Sequence, residues 1–258
     1  MSSSRSEEHF FAPCPRGLEA LLATELTGLG AGAARALAGG VAFAGDWALC
    51  YRVNLWSRIA SRVLWKLAEF PYASEHDVYR AVRALDWAAL FPVECTLRVY
   101  VTAQRSPLKS LEFITLRIKD AVCDSFRDAI GRRPSVERLR PDVRVHAFLE
   151  ERAATLYLDT SGEPLFKRGW RGAAHEAPLR ENLAAGIVML TGWRPDEALL
   201  DPMCGAGTLL VEAAAMARGR APGAKRRFGF EKPCWKPASC PGDRKRCLSA
   251  GCFEEPHQ

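Results

Sequence analysis

The sequence predicts an α/β protein in which two small helix-and-strand modules precede the start of a cofactor-binding fold. Between residues 10 and 160, segments with apolar residues at helical spacing alternate with short segments in which every second residue is apolar. Residues 199–214, LLDPMCGAGTLLVEAA, then combine an apolar strand, a glycine turn and an amphipathic helix. The chain has 258 residues, which is enough to bury a sizeable core in one large or two small domains.

The first module spans residues 10–68. Its first predicted helix has leucines on one face and glycines at its end: Leu18, Leu21, Leu22, Leu26 and Leu29, with Gly28 and Gly30. Residues 41–44 predict a short strand, and Asp46 is the expected N-cap of a second helix. Alternation around Trp65 predicts a further strand, so we expect a small helix-and-strand sandwich.

The second module spans residues 69–160. Ser74 and Asp77 have the spacing of a capping box and predict the start of a short helix. The patterns that follow predict a strand, a long helix that ends at a glycine, and a hairpin: residues 97–101, 111–131 and 143–159. This alternation indicates a compact module that binds RNA or another ligand.

Two further segments lead to the glycine turn. Residues 161–177 are interpreted as a basic linker, because their glycines and charges argue against a packed element. The next segment, residues 178–231, begins with Pro178, which favours the first position of a helix. Apolar residues on one face and a closing glycine support that helix: Leu179, Leu183, Ile187, Leu190 and Gly192.

Asp201, Gly205 and Gly207 give residues 199–214 the layout of a nucleotide-type cofactor site. The strand delivers a carboxylate, the glycines let the backbone approach a ligand, and the helix that follows offers free N–H groups. The spacing is Asp-Pro-x-x-Gly-x-Gly-Thr, not the Gly-x-Gly-x-x-Gly of dinucleotide-binding folds, which favours a charged nucleoside cofactor. On spacing alone, an ordinary strand-to-helix turn is an equally good interpretation.

The positive charge of the chain is concentrated in one region. The formal net charge is +6, and residues 98–171 contain fifteen basic and ten acidic residues, which account for +5 of it. Such a concentration favours a polyanionic partner. The N-terminal residues include no apolar signal segment and no stretch is long enough to span a bilayer, so we expect a cytoplasmic protein without membrane contact.

The nine cysteines are expected to be reduced thiols, because their number is odd and no secretory signal precedes them. Five of them lie among apolar residues and are interpreted as buried small hydrophobic residues: Cys14, Cys50, Cys95, Cys123 and Cys204. Three isolated histidines receive no catalytic role: His76, His146 and His175.

Several longer segments resemble the bacterial THUMP-domain ribosomal RNA methyltransferases, in the order in which that family carries them. They include FAPCPRGLEALLATEL at residues 11–26, NLWSRIASRVL at 54–64, IKDAVCDSFRDAIGRRPSVER at 118–138, PDVRVHAFLEERAATLYLDTSGEPLFKRGWR at 141–171, LRENLAAGIVMLTGW at 179–193 and LLDPMCGAGTLLVEAA at 199–214. The resemblance is closest to the N-terminal portion of the RlmL-type enzymes, which methylate the exocyclic amine of a guanine in large-subunit ribosomal RNA.

The resemblance implies a ferredoxin-like domain at residues 10–68, a THUMP RNA-binding domain at 69–160 and the start of a class I, Rossmann-like methyltransferase domain at 178–231. The implied cofactor is S-adenosylmethionine. The loop implied to bind it comprises Asp201, Pro202, Met203, Cys204, Gly205, Ala206, Gly207 and Thr208. Free N–H groups at the start of the following helix suit the methionine carboxylate of this cofactor. The segment with Glu181 and Asn182 resembles the one that closes over the cofactor from the other side.

The family also uses an acidic residue for the cofactor ribose and an Asn-Pro-Pro-Tyr motif that holds the target guanine. Neither is found in this sequence, so no residue is assigned to catalysis. The resemblance ends near Glu231, and residues 232–258 are rich in proline and cysteine without a helix or strand period. We therefore expect a methyltransferase domain cut short, through a shifted reading frame or a damaged gene, and a disordered tail.

The tail offers one alternative interpretation, a zinc site. Its four cysteines are Cys234, Cys240, Cys247 and Cys252. Their spacing does not match the paired Cys-x-x-Cys arrangement of common structural zinc sites, so no metal is expected.

Seven basic residues of the THUMP region and the linker, with one tryptophan, are the candidate RNA contacts: Arg117, Lys119, Arg132, Arg133, Lys167, Arg168, Trp170 and Arg171. Cations beside an aromatic ring can hold phosphates while an unpaired base stacks on the ring, and basic residues bracket Trp170 in this way. A solvated charged face is the alternative for the first four residues, and packing between domains is the alternative for Trp170.

We therefore expect S-adenosylmethionine-dependent methylation of a guanine exocyclic amine in large-subunit ribosomal RNA. A second chain that completes the methyltransferase domain is a further partner to consider. The contrasting hypothesis is a non-enzymatic RNA-binding THUMP protein with a vestigial methyltransferase segment. A third hypothesis is a cofactor-binding protein that does not methylate RNA.

Overall fold

The computed structural model describes residues 7–170, 179–232 and 235, and the chain divides into two compact units. Within these residues, unit 1 combines 7–63 with 163–170 and 179–228. Unit 2 combines 64–162 with 229–232 and 235. Each unit is thus assembled from segments far apart in sequence. Both units contain helices and strands, which confirms the α/β class.

The first part of unit 1 has the order β1, α1, β2, β3, α2: Glu8–Pro13, Glu19–Gly28, Arg35–Leu37, Gly40–Gly45 and Trp47–Trp56. The strands pair antiparallel in the order β2-β3-β1. Asp46 caps α2 as predicted, because its side chain accepts a hydrogen bond of 2.8 Å from the N–H of Leu49. Phe10 on β1 stacks on Phe43 of β3 at 5.3 Å, which places the core of this unit on one face of the sheet.

Unit 2 continues with β4, α3, α4, β5, α5, β6 and β7: Leu64–Pro71, Glu75–Arg83, Trp87–Leu90, Leu97–Ala103, Leu111–Ile130, Val143–Leu149 and Ala153–Asp159. Its strands follow the order β4-β7-β6-β5. The pairs β4–β7 and β6–β7 are antiparallel, and β5–β6 is parallel. Parallel pairing needs a crossover connection, which α5 supplies.

Three predicted features of unit 2 are confirmed. Ser74 and Asp77 form the capping box of α3, with both reciprocal hydrogen bonds present. Helix α5 ends at Gly131, whose φ of 70° lies in the left-handed region that glycine tolerates. The hairpin of β6 and β7 closes at the predicted turn, where the N–H of Glu150 donates to the carbonyl of Ala153.

A distant segment completes unit 2. A short 3-10 helix at Gly229–Glu231 buries Phe230 completely, and the N–H of Phe230 donates to the carbonyl of Thr160 at 3.1 Å. The ammonium of Lys232 lies 3.0 Å from a carboxylate oxygen of Asp142. Residues that follow the methyltransferase-like helix in sequence therefore belong to the core of the THUMP-like unit.

The rest of unit 1 contains helices α6 and α7, Glu181–Leu190 and Thr208–Ala217. Both were predicted, and they pack against each other. Pro178, the expected first residue of α6, lies outside the described residues. The described part of the 161–177 segment corrects the interpretation as an unpacked linker: Leu165 is buried and its N–H donates to the carbonyl of Ser61. An irregular segment can still pack, and periodicity does not detect it.

The predicted strand before Asp201 is not present. Residues 197–201 adopt no strand conformation, and the side chain of Leu200 is 86% exposed. A strand is stable only when a neighbour pairs with its backbone, and none of the described strands pairs with this segment. Over the described residues, no helix has the length and apolar character needed to cross a membrane.

Candidate cofactor loop and basic surfaces

The candidate cofactor loop, residues 201–208, leads directly into α7. Gly205 and Gly207 have φ values of 51° and 68°, so both glycines use the left-handed region that other residues avoid. A Cβ atom built at either glycine meets no atom within 4 Å, which leaves the space beside the backbone open. A carboxylate oxygen of Asp201 accepts the N–H of Met203 at 3.1 Å and thereby folds the start of the loop.

The start of α7 is suited to an anionic group. Its N-cap, Gly207, has no side chain that could satisfy the first N–H groups, and no acidic side chain lies in the first turn. Unsatisfied N–H groups and the helix dipole make such a terminus attractive to a carboxylate. These residues therefore fit the methionine carboxylate of S-adenosylmethionine, because they offer donors, positive potential and room for close approach.

The loop is open to solvent. The side chain of Met203 is 89% exposed, and Cys204 is exposed as well. Cys204 therefore corrects the expectation of a buried cysteine, since none of the described elements covers its loop. Three of the remaining four are buried as predicted, Cys50, Cys95 and Cys123, and Cys14 is half-buried.

Glu181 and Asn182, the segment implied to close over the cofactor, are both buried at the start of α6. The amide of Asn182 donates to the carbonyl of Ile59 at 3.1 Å and to the hydroxyl of Ser61 at 3.0 Å. These contacts fasten α6 to the segment that follows α2. Within the described residues, they give Asn182 a positioning role in unit 1.

Arg168 and Glu212 form a buried ion pair that the sequence analysis did not detect. The Nε of Arg168 lies 3.4 Å from Oε1 of Glu212, and both side chains are 3% exposed. The guanidinium also donates to the carbonyls of Leu165 and Arg58, at 2.8 and 2.5 Å. Burial raises the pKa of Glu212, while the neighbouring guanidinium groups oppose the rise. Burial also contradicts the proposed RNA contact of Arg168, because its donors are directed into the protein.

Unit 2 contains four of the candidate RNA contacts, and all four are at least partly exposed on its surface. Arg117 lies over the ring of Tyr79 at 4.2 Å, and Lys119 pairs with Asp120 at 2.7 Å. Arg132 pairs with Glu94 at 2.8 Å, and Arg133 lies 3.8 Å from Asp120. Neighbouring carboxylates thus reduce the field of three of these four cations.

The candidate contacts of unit 1 are less uniform. Lys167 is exposed and pairs with Glu163 at 2.8 Å. Trp170 is half-buried, and Arg171 lies outside the described residues.

The four tail cysteines considered as zinc ligands also lie outside the described residues. Among the described residues, no group of three His, Cys, Asp or Glu side chains could hold a metal ion.

Three family models match the chain in succession. Residues 9–64 match the RlmL ferredoxin-like domain, 72–159 match the THUMP domain, and 168–250 match the RMKL-like methyltransferase domain. The last match extends beyond residue 231, where the sequence analysis ended the resemblance.

Solved structures show the same relationship. One described as an N6-adenine-specific DNA methylase from Listeria monocytogenes is 31% identical, with a TM-score of 0.81 over 90% of this chain and 61% of its own. SMU.472, described as a methyltransferase and solved as a complex with SAH, is 32% identical, with a TM-score of 0.79 over 90% of this chain and 62% of its own. TrmN from Thermus thermophilus is 25% identical, with a TM-score of 0.61 over 81% of this chain and 62% of its own.

The chain therefore spans about three-fifths of the length of these relatives. The three models follow one another in the order expected from the sequence, and together they cover most of the 258 residues. S-adenosylmethionine is the cofactor that such a methyltransferase domain implies. The chain belongs to the THUMP-domain methyltransferases that carry an RlmL ferredoxin-like domain.

Proposed function

We propose that this chain binds S-adenosylmethionine through residues 201–208 and serves the methylation of a guanine exocyclic amine in large-subunit ribosomal RNA. The observation that carries the proposal is the pair of left-handed glycines, Gly205 and Gly207, at the uncapped start of α7. The open space at both glycines allows a ligand to approach the backbone. The SAH found with SMU.472 supports a cofactor of this class.

The RNA partner is supported by a different part of the chain. The THUMP match and the basic residues of unit 2 favour a structured RNA, and the ferredoxin-like match favours the RlmL type. Exposed cations such as Arg132 and Arg133 are suited to phosphate contacts. We propose large-subunit ribosomal RNA in the cytoplasm as that partner.

The cofactor would supply a methyl group on a sulfonium centre. The residues of this chain would bind its methionine part: the first N–H groups of α7 hold the carboxylate, and Asp201 shapes the loop around it. No residue of the chain is assigned to hold the guanine, and the catalytic residues stay unassigned.

The first test is binding of S-adenosylmethionine to the purified chain by titration calorimetry. We expect saturable binding that Asp201→Ala weakens by about tenfold or more, since the loss of one charged hydrogen-bond acceptor costs roughly 1.5–3 kcal/mol. Asp196→Ala is the matched control, because Asp196 is an exposed aspartate five positions earlier that pairs only with Arg194 among the described residues. Equal affinity of the wild type and the Asp201 variant would remove Asp201 from the site.

The second candidate function is RNA binding without catalysis. It is favoured by one observation: residues 197–201 form no strand and leave Leu200 exposed, whereas a class I cofactor site rests on a paired strand. RNA binding by well-folded protein that does not bind S-adenosylmethionine would support this alternative. Methyl transfer by the chain alone would reject it.

A further inference from the structure

A basic cavity of about 610 Å³ lies in unit 1 beside α7 and the residues that follow it. Its lining includes five cationic side chains: Arg58, Arg168, Arg218, Arg220 and Lys225. Glu212 is the one carboxylate among the described lining residues, and Trp170 adds an aromatic wall. A cavity of this volume is large enough for a nucleotide.

Arg58 shapes the cavity from the end of α2. Its Nη2 donates to the carbonyls of Ala215 and Arg220, at 3.4 and 2.9 Å, near the end of α7. These bonds offset the negative end of the helix dipole, which would otherwise repel an anion. Its Nη1 is buried and has no hydrogen-bond partner among the described residues.

The three remaining cations have no carboxylate partner among the residues that the structure describes. Arg218, Arg220 and Lys225 are exposed, and none of them forms an ion pair with a carboxylate in the described part of the chain. This differs from the basic residues of unit 2, where Lys119 and Arg132 have carboxylate partners. A concave surface with unpaired positive charge concentrates anions.

None of the cofactor-loop residues 201–208 lines the cavity. At a rise of about 1.5 Å per residue, Arg218 lies about 15 Å along the α7 axis from Thr208, and Val211, the first α7 residue of the lining, lies about 4.5 Å from it. S-adenosylmethionine, with its net positive sulfonium and ammonium groups, does not match a cavity of this charge. A phosphate ester does, and an aromatic wall favours a phosphate that belongs to a nucleotide.

We propose that this cavity binds a backbone phosphate of the RNA, with Arg218, Arg220 and Lys225 as its donors. The proposal rests on the RNA partner of the proposed function, but it does not depend on cofactor binding. It assigns an RNA contact to the methyltransferase-like part of the chain, outside the basic residues of the THUMP-like unit.

The test is the affinity of the full chain for a fluorescein-labelled single-stranded RNA, measured by anisotropy over a range of salt concentrations without cofactor. We expect Arg218→Ala combined with Lys225→Ala to weaken binding by about tenfold near 0.1 M salt and to reduce the salt slope by about one to two. Arg218→Gln with Lys225→Gln, which retains more of the side-chain length, should give the same result. Thermal unfolding verifies that the variants fold.

The matched control is Arg16→Ala combined with Arg35→Ala, two exposed cations of unit 1 that do not line the cavity. We expect this control to bind RNA nearly as well as the wild type. Equal losses in both double variants, or no loss in either, would overturn the proposal.

Calorimetry with AMP distinguishes the two sources of the phosphate. If the cavity variant loses AMP binding but keeps full RNA affinity, the cavity binds a free nucleotide and the RNA assignment is wrong. The Asp201→Ala variant should bind RNA like the wild type. A chain that binds RNA through the cavity without binding S-adenosylmethionine would reject the proposed function and leave this inference in place.

Discussion

Glu212 lies on the buried face of α7, four residues after Thr208, in an otherwise apolar helix. Burial disfavours its charged form and raises its pKa, and Arg168 and Arg58 limit the rise. Sequence reasoning could have noticed one acidic residue among the apolar residues of TLLVEAAAMA. It could not have found the partner, because Arg168 lies 44 positions earlier in the chain.

The raised pKa of Glu212 predicts a pH dependence of stability. Its neutral form stabilises the folded state at low pH, and this contribution is lost as the pH rises from about 4.5 through the folded pKa. Glu212→Gln removes the titration while keeping the shape. We expect the free energy of unfolding of the wild type, relative to this variant, to fall as the pH is raised across that window.

Urea unfolding at a series of pH values measures this difference. Glu7→Gln is the control, because Glu7 is an exposed glutamate of the same unit. Its substitution should change the free energy of unfolding little, because an exposed side chain loses few contacts. A constant difference for Glu212→Gln would show that the carboxyl does not titrate in this window.

At the scale of elements, the local sequence accounts for α3 well. Ser74 and Asp77 supply the first turn with both bonds of a capping box, and the hydroxyl of Ser74, with Arg80, lowers the pKa of Asp77. We expect Ser74→Ala to reduce the free energy of unfolding of unit 2 by about 1 kcal/mol, the usual cost of losing a serine cap. The pKa of Asp77 should rise toward its ordinary value.

Chemical denaturation gives the stability change, and carboxyl chemical shifts in an NMR titration give the pKa. Ser135→Ala is the control, because Ser135 is exposed and only its backbone carbonyl accepts a hydrogen bond within the described structure. A stable Ser74 variant with an unchanged Asp77 pKa would argue against the capping box.

Helix α7 and the segment before it show why only some elements follow from the sequence. The hydrogen bonds of a helix close within the segment, so an amphipathic pattern and a glycine turn are sufficient to predict Thr208–Ala217. A strand needs a partner strand, and the apolar residues around Leu200 have none in the described structure. The apolar pattern of residues 199–214 therefore predicts the helix correctly and the strand wrongly.

At the scale of the whole molecule, the chain order and the spatial order differ. Phe230 follows α7 in sequence but is fully buried in unit 2, where its N–H bonds to Thr160 at the end of β7. We expect Phe230→Ala to destabilise unit 2 by about 3–5 kcal/mol, the usual cost of removing a buried phenylalanine side chain. Hydrogen exchange of β6 and β7 reports on that unit directly.

Phe113→Ala is the matched control, because Phe113 lies in unit 2 with half of its surface exposed. It should change the protection of these strands far less. Equal protection in the wild type and the Phe230 variant would mean that residues 229–231 do not stabilise unit 2.

The sequence by itself determined the α/β class, the helices and hairpin of the THUMP-like module, the glycine loop and the family. These features depend on local periodicity, capping and motifs, which neighbouring residues carry within one segment. The tertiary structure alone decided that Arg168 is buried against Glu212, that Phe230 completes unit 2, and that Arg58 and Lys225 line one cavity. The physical reason is that burial and ion pairing depend on contacts between segments far apart in the chain. Hydrophobic periodicity describes only one segment at a time and does not reveal such contacts.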